Sequence, residues 1–318
     1  MVDSHYDLLS ICYKCYLLND YSLIEKYSKE IMSSGVKCIF ANLYFMSEEE
    51  MKDELHPNYY NKDISILEMF RISKKILLSY LPNIDFVFSI EGCDYIKVNE
   101  LEDLYNEGLR SILLVWNNEN IYGSGVKTNK HLTSLGKEFL QEAIRLGIGI
   151  DLSHANEETF YDMIDVIKEN IENGQNVICY ASHSNSRKLW DIRRNLTDRQ
   201  LECIRDVNGY VGAISNVHFV DALNCSFENK SKEYLKHIIH IASIIGKDKV
   251  MLSTDDMRFY SDYDKSYLNA PIYQYTSVKE DIERELLTFF NRTDTDNILY
   301  NNGYRIYSEL LNKQMIRS

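Results

Sequence analysis

The sequence predicts an α/β protein built as a closed (β/α)8 TIM-like barrel, and three observations carry that expectation. Apolar, β-rich runs alternate with stretches of helical periodicity along almost the whole chain. Eight such runs can be counted, the number that closes a parallel barrel. Several are near-continuously apolar, as in Ser111-Ile112-Leu113-Leu114-Val115, which is how strands covered by helices on both faces are composed.

Taken in order, a short first run ends at His5, and the others fall at 37–45, 84–90, 110–116, 147–152, 176–181, 210–215 and 249–254. Helical periodicity is read at 64–80, 135–146, 157–171, 198–207 and 233–245, and glycines such as Gly147 and Gly246 close two of these stretches. No strand is followed by a G-x-G-x-x-G or P-loop signature, which weakens a nucleotide-binding reading. Neither a linker nor an internal repeat marks a second unit, so residues 1–318 are expected to form a single catalytic barrel domain. The loop 118–131 and the segments 217–231 and 258–275 are long enough to wall or cover a pocket.

A formal net charge of -13 over 318 residues argues against nucleic acid or an anionic membrane surface as partner, because both need a positive field. A small-molecule substrate fits better, and a homodimer is compatible with the composition. No stretch approaches the roughly 18 apolar residues of a spanning helix. The start, Met1-Val2-Asp3-Ser4-His5, lacks the basic and apolar regions of a signal peptide. Seven cysteines form a poor disulfide framework. Free thiols and a cytoplasmic location are expected. Cys12-x-x-Cys15 has zinc-like spacing, but no second pair answers it and it lies in a helix-like run, which favours a structural role.

Chemistry concentrates where strands end. A parallel barrel gathers the C-terminal ends of its strands on one face, so His5, Asp7, Glu91, His154, His183 and Asp255 become neighbours. Residues two apart on an extended chain share a side, which would let His5 and Asp7 reach one ion; a capping role for Asp7 is the alternative. Glu91 precedes Gly92 at a strand-to-loop turn, where a carboxylate can bridge two cations and a glycine eases a tight path. His154 and His183 both end strands in Ser-His, placing neutral imidazoles suited to zinc at the mouth. Asp255, followed by Asp256, is a proton carrier beside such a site or a helix cap. Arg193 and Arg194 follow His183, and an arginine there could hold a substrate carboxylate.

The segments Asp3-Ser4-His5-Tyr6-Asp7, Ser89-Ile90-Glu91-Gly92, Leu146 to His154, Ser182-His183-Ser184-Asn185 and Arg193-Arg194-Asn195-Leu196-Thr197-Asp198 resemble, in that order, the landmarks of the membrane dipeptidase (renal dipeptidase) family, peptidase family M19. The resemblance implies a barrel of the amidohydrolase type holding two zinc ions, with His5 and Asp7 on one, His154 and His183 on the other, and Glu91 bridging. It implies dipeptide hydrolysis by a metal-bridging hydroxide, with Arg194 on the C-terminal carboxylate, Asp255 as proton shuttle, and tolerance of a C-terminal D-residue. Two departures stand out. Trp116 replaces a histidine that contacts the substrate carbonyl in many members, and Asp255-Asp256-Met257-Arg258 replaces the usual Asp-Phe-Asp-Gly. An indole N–H can donate but not become charged. These changes keep a related amidase acting on N-acyl amino acids or modified peptide-derived metabolites as the alternative.

Overall fold

A computed structural model describes residues 1–45, 64–221, 226–261 and 265–315. Eight parallel strands close into a barrel in sequence order: β1 (Val2–Tyr6), β2 (Cys38–Tyr44), β3 (Asp85–Glu91), β4 (Leu109–Leu113), β5 (Gly149–Asp151), β6 (Cys179–Ala181), β7 (Tyr210–Ile214) and β8 (Val250–Ser253). Closure is made by Asp3 pairing with Leu252. The expected eight-stranded barrel is therefore the observed one. The strands are shorter than their apolar runs, because β4 stops at Leu113 and β5 and β6 pair over three residues each. The apolar remainder, Leu114, Val115 and Leu152, is buried in loops leading to the site.

Helices pack outside each strand as the periodicity requires. Ile66–Tyr80, Ser134–Leu146, Glu157–Glu172 and Asp198–Asp206 lie within two residues of expectation. Their starts are set by Ser65, Thr133, Asn156 and Thr197, whose side chains accept the backbone N–H three residues on. The helix read at 233–245 begins earlier, at Phe227. Five helices are not among the stretches read from periodicity: Ser22–Ser33, Leu101–Glu107, Val278–Leu286, Arg292–Asp296 and Asn302–Met315.

The last of these closes the barrel end opposite the site. Ile306 and Leu310 pack with Val2, Phe40, Val87, Tyr180 and Met251 in an apolar cluster, and the Asn302 amide donates to the Val250 carbonyl at 2.7 Å. Above that plug the interior turns polar, with Ser4, Asn42, Ser89, Asp151 and Ser182 all buried. Gly212 is required in this layer: a Cβ there would lie 1.9 Å from the Ser182 carbonyl oxygen and 2.2 Å from Ser4 Oγ. Cys12 and Cys15 face the core from the helix Leu8–Leu18. They and Cys38, Cys93, Cys179 and Cys203 are free thiols, while Cys225 lies outside the described residues. Among the described residues no helix is long and apolar enough to cross a membrane.

Candidate metal centre

All six strand-end residues converge at the C-terminal mouth of the barrel. His5 arrives there through an irregularity, because the β1–β2 register slips by one residue between Asp3 and Tyr6. Such a slip re-aims a side chain. Asp7 lies past the end of β1, so strand alternation is not what pairs it with His5. It occupies the position before the helix Leu8–Leu18 yet makes no capping bond. Its Oδ1 stands 3.6 Å from His5 Nε2 and accepts no hydrogen bond among the described residues.

Glu91 sits between the two halves of the cluster. Its Oε2 is 3.0 Å from His5 Nε2 and its Oε1 3.3 Å from His154 Nε2. Gly92 makes the turn behind it with φ +80°, and a Cβ there would lie 2.3 Å from the Phe45 carbonyl oxygen. The expected tight path is thus real. His154 Nε2 and His183 Nε2 face each other at 3.0 Å, and the His5 and His183 rings stack with centroids 3.6 Å apart. Asp255 Oδ1 lies 3.8 Å from His5 Nε2. His5, Glu91 and His183, and separately His5, Asp7 and Asp255, each offer ligand atoms within 4.8 Å of one another.

Two of these residues are held in the left-handed region, His154 at φ +65° and Asp255 at φ +42°. For residues other than glycine such geometry costs on the order of 1–3 kcal/mol and persists only where the surroundings enforce it. Buried Asp151 is one such enforcer, accepting from the backbone N–H groups of Ser153 and Ser182 at 3.0 Å each, which ties together the loops that carry His154 and His183. Buried Asp3 does the same between β1 and β8, accepting from Thr254 N and Oγ1 at 2.9 and 2.6 Å. Asp255 N in turn donates to the His5 carbonyl at 3.2 Å.

The electrostatics suit a cation. Burial opposes a charged His5, but Glu91, Asp7 and Asp255 around it lift its pKa well above the ordinary value. Burial raises the Glu91 carboxyl to about 7 and that of Asp255 to about 6. Three carboxyl groups, those of Asp7, Glu91 and Asp255, thus crowd the one His5 imidazole. Burial, with Arg194 and His5 adding to it, pushes His154 well below the usual range. Burial and the same two charged neighbours do likewise for His183. Both are thus neutral lone-pair donors. Three imidazoles with carboxylates and an orphaned carboxylate oxygen form a donor set of the kind zinc takes.

The cluster floors a cavity of about 340 Å³ that Arg194 and Trp116 also line. Burial lowers the Arg194 pKa to about 10, which leaves it charged, and it donates to Ser184 Oγ at 2.9 Å and to the His183 carbonyl at 2.8 Å. Arg193 instead turns away to Asn129. The Trp116 ring lies 5.0 Å from that of Tyr44 and 6.0 Å from that of His154. Of the three expected walls, 217–231 contributes His218 and Phe219, and 258–275 contributes Tyr260, Ser266 and Tyr267. The loop 118–131 contributes none and lines a separate cavity with Asp94 and Tyr95. After Asp255, the departing Asp256 caps the turn Met257–Tyr260 and pairs with Arg258, which also reaches Glu30 at 2.6 Å.

A sequence profile described as membrane dipeptidase (peptidase family M19) matches residues 61–309. The chain belongs to that family. His5 and Asp7 precede the matched span, so their membership of the site rests on the geometry above. A curated relative from Acinetobacter calcoaceticus, an uncharacterized protein in the PQQ-III 3' region, is 33% identical over 51% of this chain and 51% of its own length. An uncharacterized dipeptidase of Schizosaccharomyces pombe is 30% identical over 59% of this chain and 44% of its own. The chain thus spans about half the length of these two curated relatives. Among solved structures, a metallo peptidase from Rhodobacter sphaeroides, liganded with a phosphinate mimic of the dipeptide L-Ala-D-Ala, superposes with TM-score 0.73 at 20% identity over 97% of this chain and 98% of its own. A dihydroorotase from Saccharomyces cerevisiae follows the same fold at TM-score 0.55 and 11% identity, over 90% of this chain and 80% of its own. The M19 family and the barrel shared with amidohydrolases agree with the sequence reading.

Sequence reasoning missed the partners behind the imidazoles. The Asn42 amide lies 3.0 Å from His5 Nδ1 and Asn117 Oδ1 lies 3.0 Å from His154 Nδ1. Asn42 carried a usable signal, a polar residue in the middle of the apolar run Cys38–Tyr44. Asn117, in an irregular loop, carried none.

Proposed function

We propose that this chain is a dinuclear zinc dipeptidase that hydrolyses small dipeptides and tolerates a D-residue on the C-terminal side. The observation that carries the reading is Glu91, whose two oxygens address imidazoles from opposite sides of the mouth, as a shared carboxylate must. His5 and Asp7 would hold one ion, His154 and His183 the other, with Glu91 common to both. Bound zinc supplies a water that ionises near neutral pH and a Lewis acid for the scissile carbonyl.

The remaining steps belong to the chain's own groups. Arg194 clamps the substrate's C-terminal carboxylate by a charge-assisted contact. The Trp116 indole N–H donates to the scissile carbonyl oxygen. Asp255 accepts the proton of the attacking water on its carboxylate and returns it to the leaving amine nitrogen. The dipeptide mimic bound by the Rhodobacter sphaeroides peptidase supports an L-D dipeptide as substrate.

The test is metal content together with hydrolysis of L-L and L-D dipeptides and their N-acetylated forms, before and after zinc is added. Two zinc ions per chain with cleavage of free-amine dipeptides alone is the expected result. Cleavage of blocked substrates alone moves the assignment to an amidase acting on N-acyl amino acids, a reading that the aromatic wall of Tyr44 and Trp116 favours. Absence of bound metal overturns both.

A further inference from the structure

Ser182 Oγ lies 2.6 Å from His183 Nδ1 and 3.3 Å from His5 Nδ1. These two imidazoles are assigned above to different ions; one hydroxyl is shared by both, and His5 Nδ1 has the Asn42 amide as a second neighbour at 3.0 Å. We infer that Ser182 is a positioning residue that couples the two metal half-sites, setting the tautomer and ring orientation of His5 and His183 together. The inference rests on the two-ion reading and deepens it.

The chemistry follows from the donor inventory. A neutral imidazole that gives its Nε2 lone pair to a cation carries its proton on Nδ1, so both rings then present an Nδ1–H to the same oxygen. The Asn42 amide N–H that faces His5 Nδ1 at 3.0 Å must then turn away from that ring, leaving Ser182 as the acceptor. A serine oxygen has two lone pairs and can accept both, while its own proton turns toward Ser153 Oγ at 3.5 Å. Filling one half-site therefore sets Ser182 in the orientation that the other half-site requires.

Its position is enforced from three sides. Ser182 N donates to buried Asp151 at 3.0 Å. Its carbonyl accepts from Ser4 Oγ at 2.6 Å, and Gly212 leaves room for that approach. The stacked His5 and His183 rings hold their two Nδ1 atoms toward the same hydroxyl. Asn117 makes the useful contrast, since its side-chain oxygen contacts the His154 ring alone among the three imidazoles.

The experiment takes the full chain, strips it with a chelator and titrates it with Co²⁺, following the visible bands and resolving the stepwise constants. Ser182→Ala and Asn117→Ala are compared with the parent. The parent takes up two ions. Ser182→Ala weakens both steps by about tenfold to 100-fold, whereas Asn117→Ala weakens one. Thermal unfolding of the stripped proteins stays close to the parent for Ser182→Ala. Loss confined to one step, no loss, or an equal fall in stability with and without Co²⁺ overturns the coupling. A parent that binds fewer than two ions overturns the two-ion reading beneath it.

Discussion

Replacing Glu91 by glutamine has opposite consequences with and without metal, and that inversion separates a bridging ligand from a structural ion-pair partner. Burial raises the Glu91 carboxyl to about 7 from an ordinary 4.5. A carboxyl whose folded pKa exceeds its unfolded one binds protons preferentially when folded, so its charged form penalises the fold above pH 7. At pH 8 that difference corresponds to about 3 kcal/mol. The value of about 7 already contains the attraction to His5, and the poorer contacts of an amide in place of the carboxyl offset part of the gain. In chelator, Glu91→Gln therefore stabilises by about 1–2 kcal/mol, a rise in Tm of roughly 1.5–3 °C. With zinc in excess the order reverses. An amide nitrogen cannot ligate, and a 100-fold loss of affinity removes about 2.7 kcal/mol of linked stability. Differential scanning calorimetry at pH 8, in EDTA and in zinc, measures both signs. A lower Tm for Glu91→Gln in EDTA would refute the reasoning.

Asp255→Asn, which keeps the shape but cannot take a proton, is expected to lower kcat by about 10²-fold to 10⁴-fold with metal content unchanged, checked by elemental analysis beside kinetics. Trp116→Phe preserves the ring packed on Tyr44 and removes the N–H; a fall in kcat of about 100-fold with KM little altered is expected. His237 is buried and accepts from Ser186 N at 3.1 Å. Burial, with His240 and Lys236 adding to it, lowers its pKa from 6.5 to about 3. The unfolded chain then binds the extra proton, so this contribution to stability is complete above pH 6.5 and is lost as pH falls toward 3. His237→Gln should flatten the stability-against-pH curve in that window, as read by urea unfolding at a series of pH values.

Much of this molecule was legible in one dimension. Eight apolar runs separated by helical periods specify a closed parallel barrel, because such strands must be covered on both faces. Residues at the ends of those runs become neighbours by topology, which is why Glu91, His154, His183 and Asp255 could be singled out from local sequence alone. Strand length was less legible. Leu114 and Val115 are as apolar as the strand before them, but they are buried by loop packing and not by sheet pairing.

Tertiary structure decided the rest. The register slip in β1 that turns His5 inward depends on pairing with β2, a segment more than thirty residues away in sequence. The left-handed backbone of His154 and Asp255 is imposed by hydrogen bonds to Asp151, Asp3 and the β1 end, none of which local propensity encodes. Ser182, Asn42 and Asn117 acquire their roles only because barrel closure brings β1, β2, β4 and β6 around one point. Sequence by itself determined which residues reach the mouth of the barrel, since that follows from periodicity and strand order. Which nitrogen each imidazole presents there was decided only in three dimensions, since a tautomer is set by the atom behind the ring.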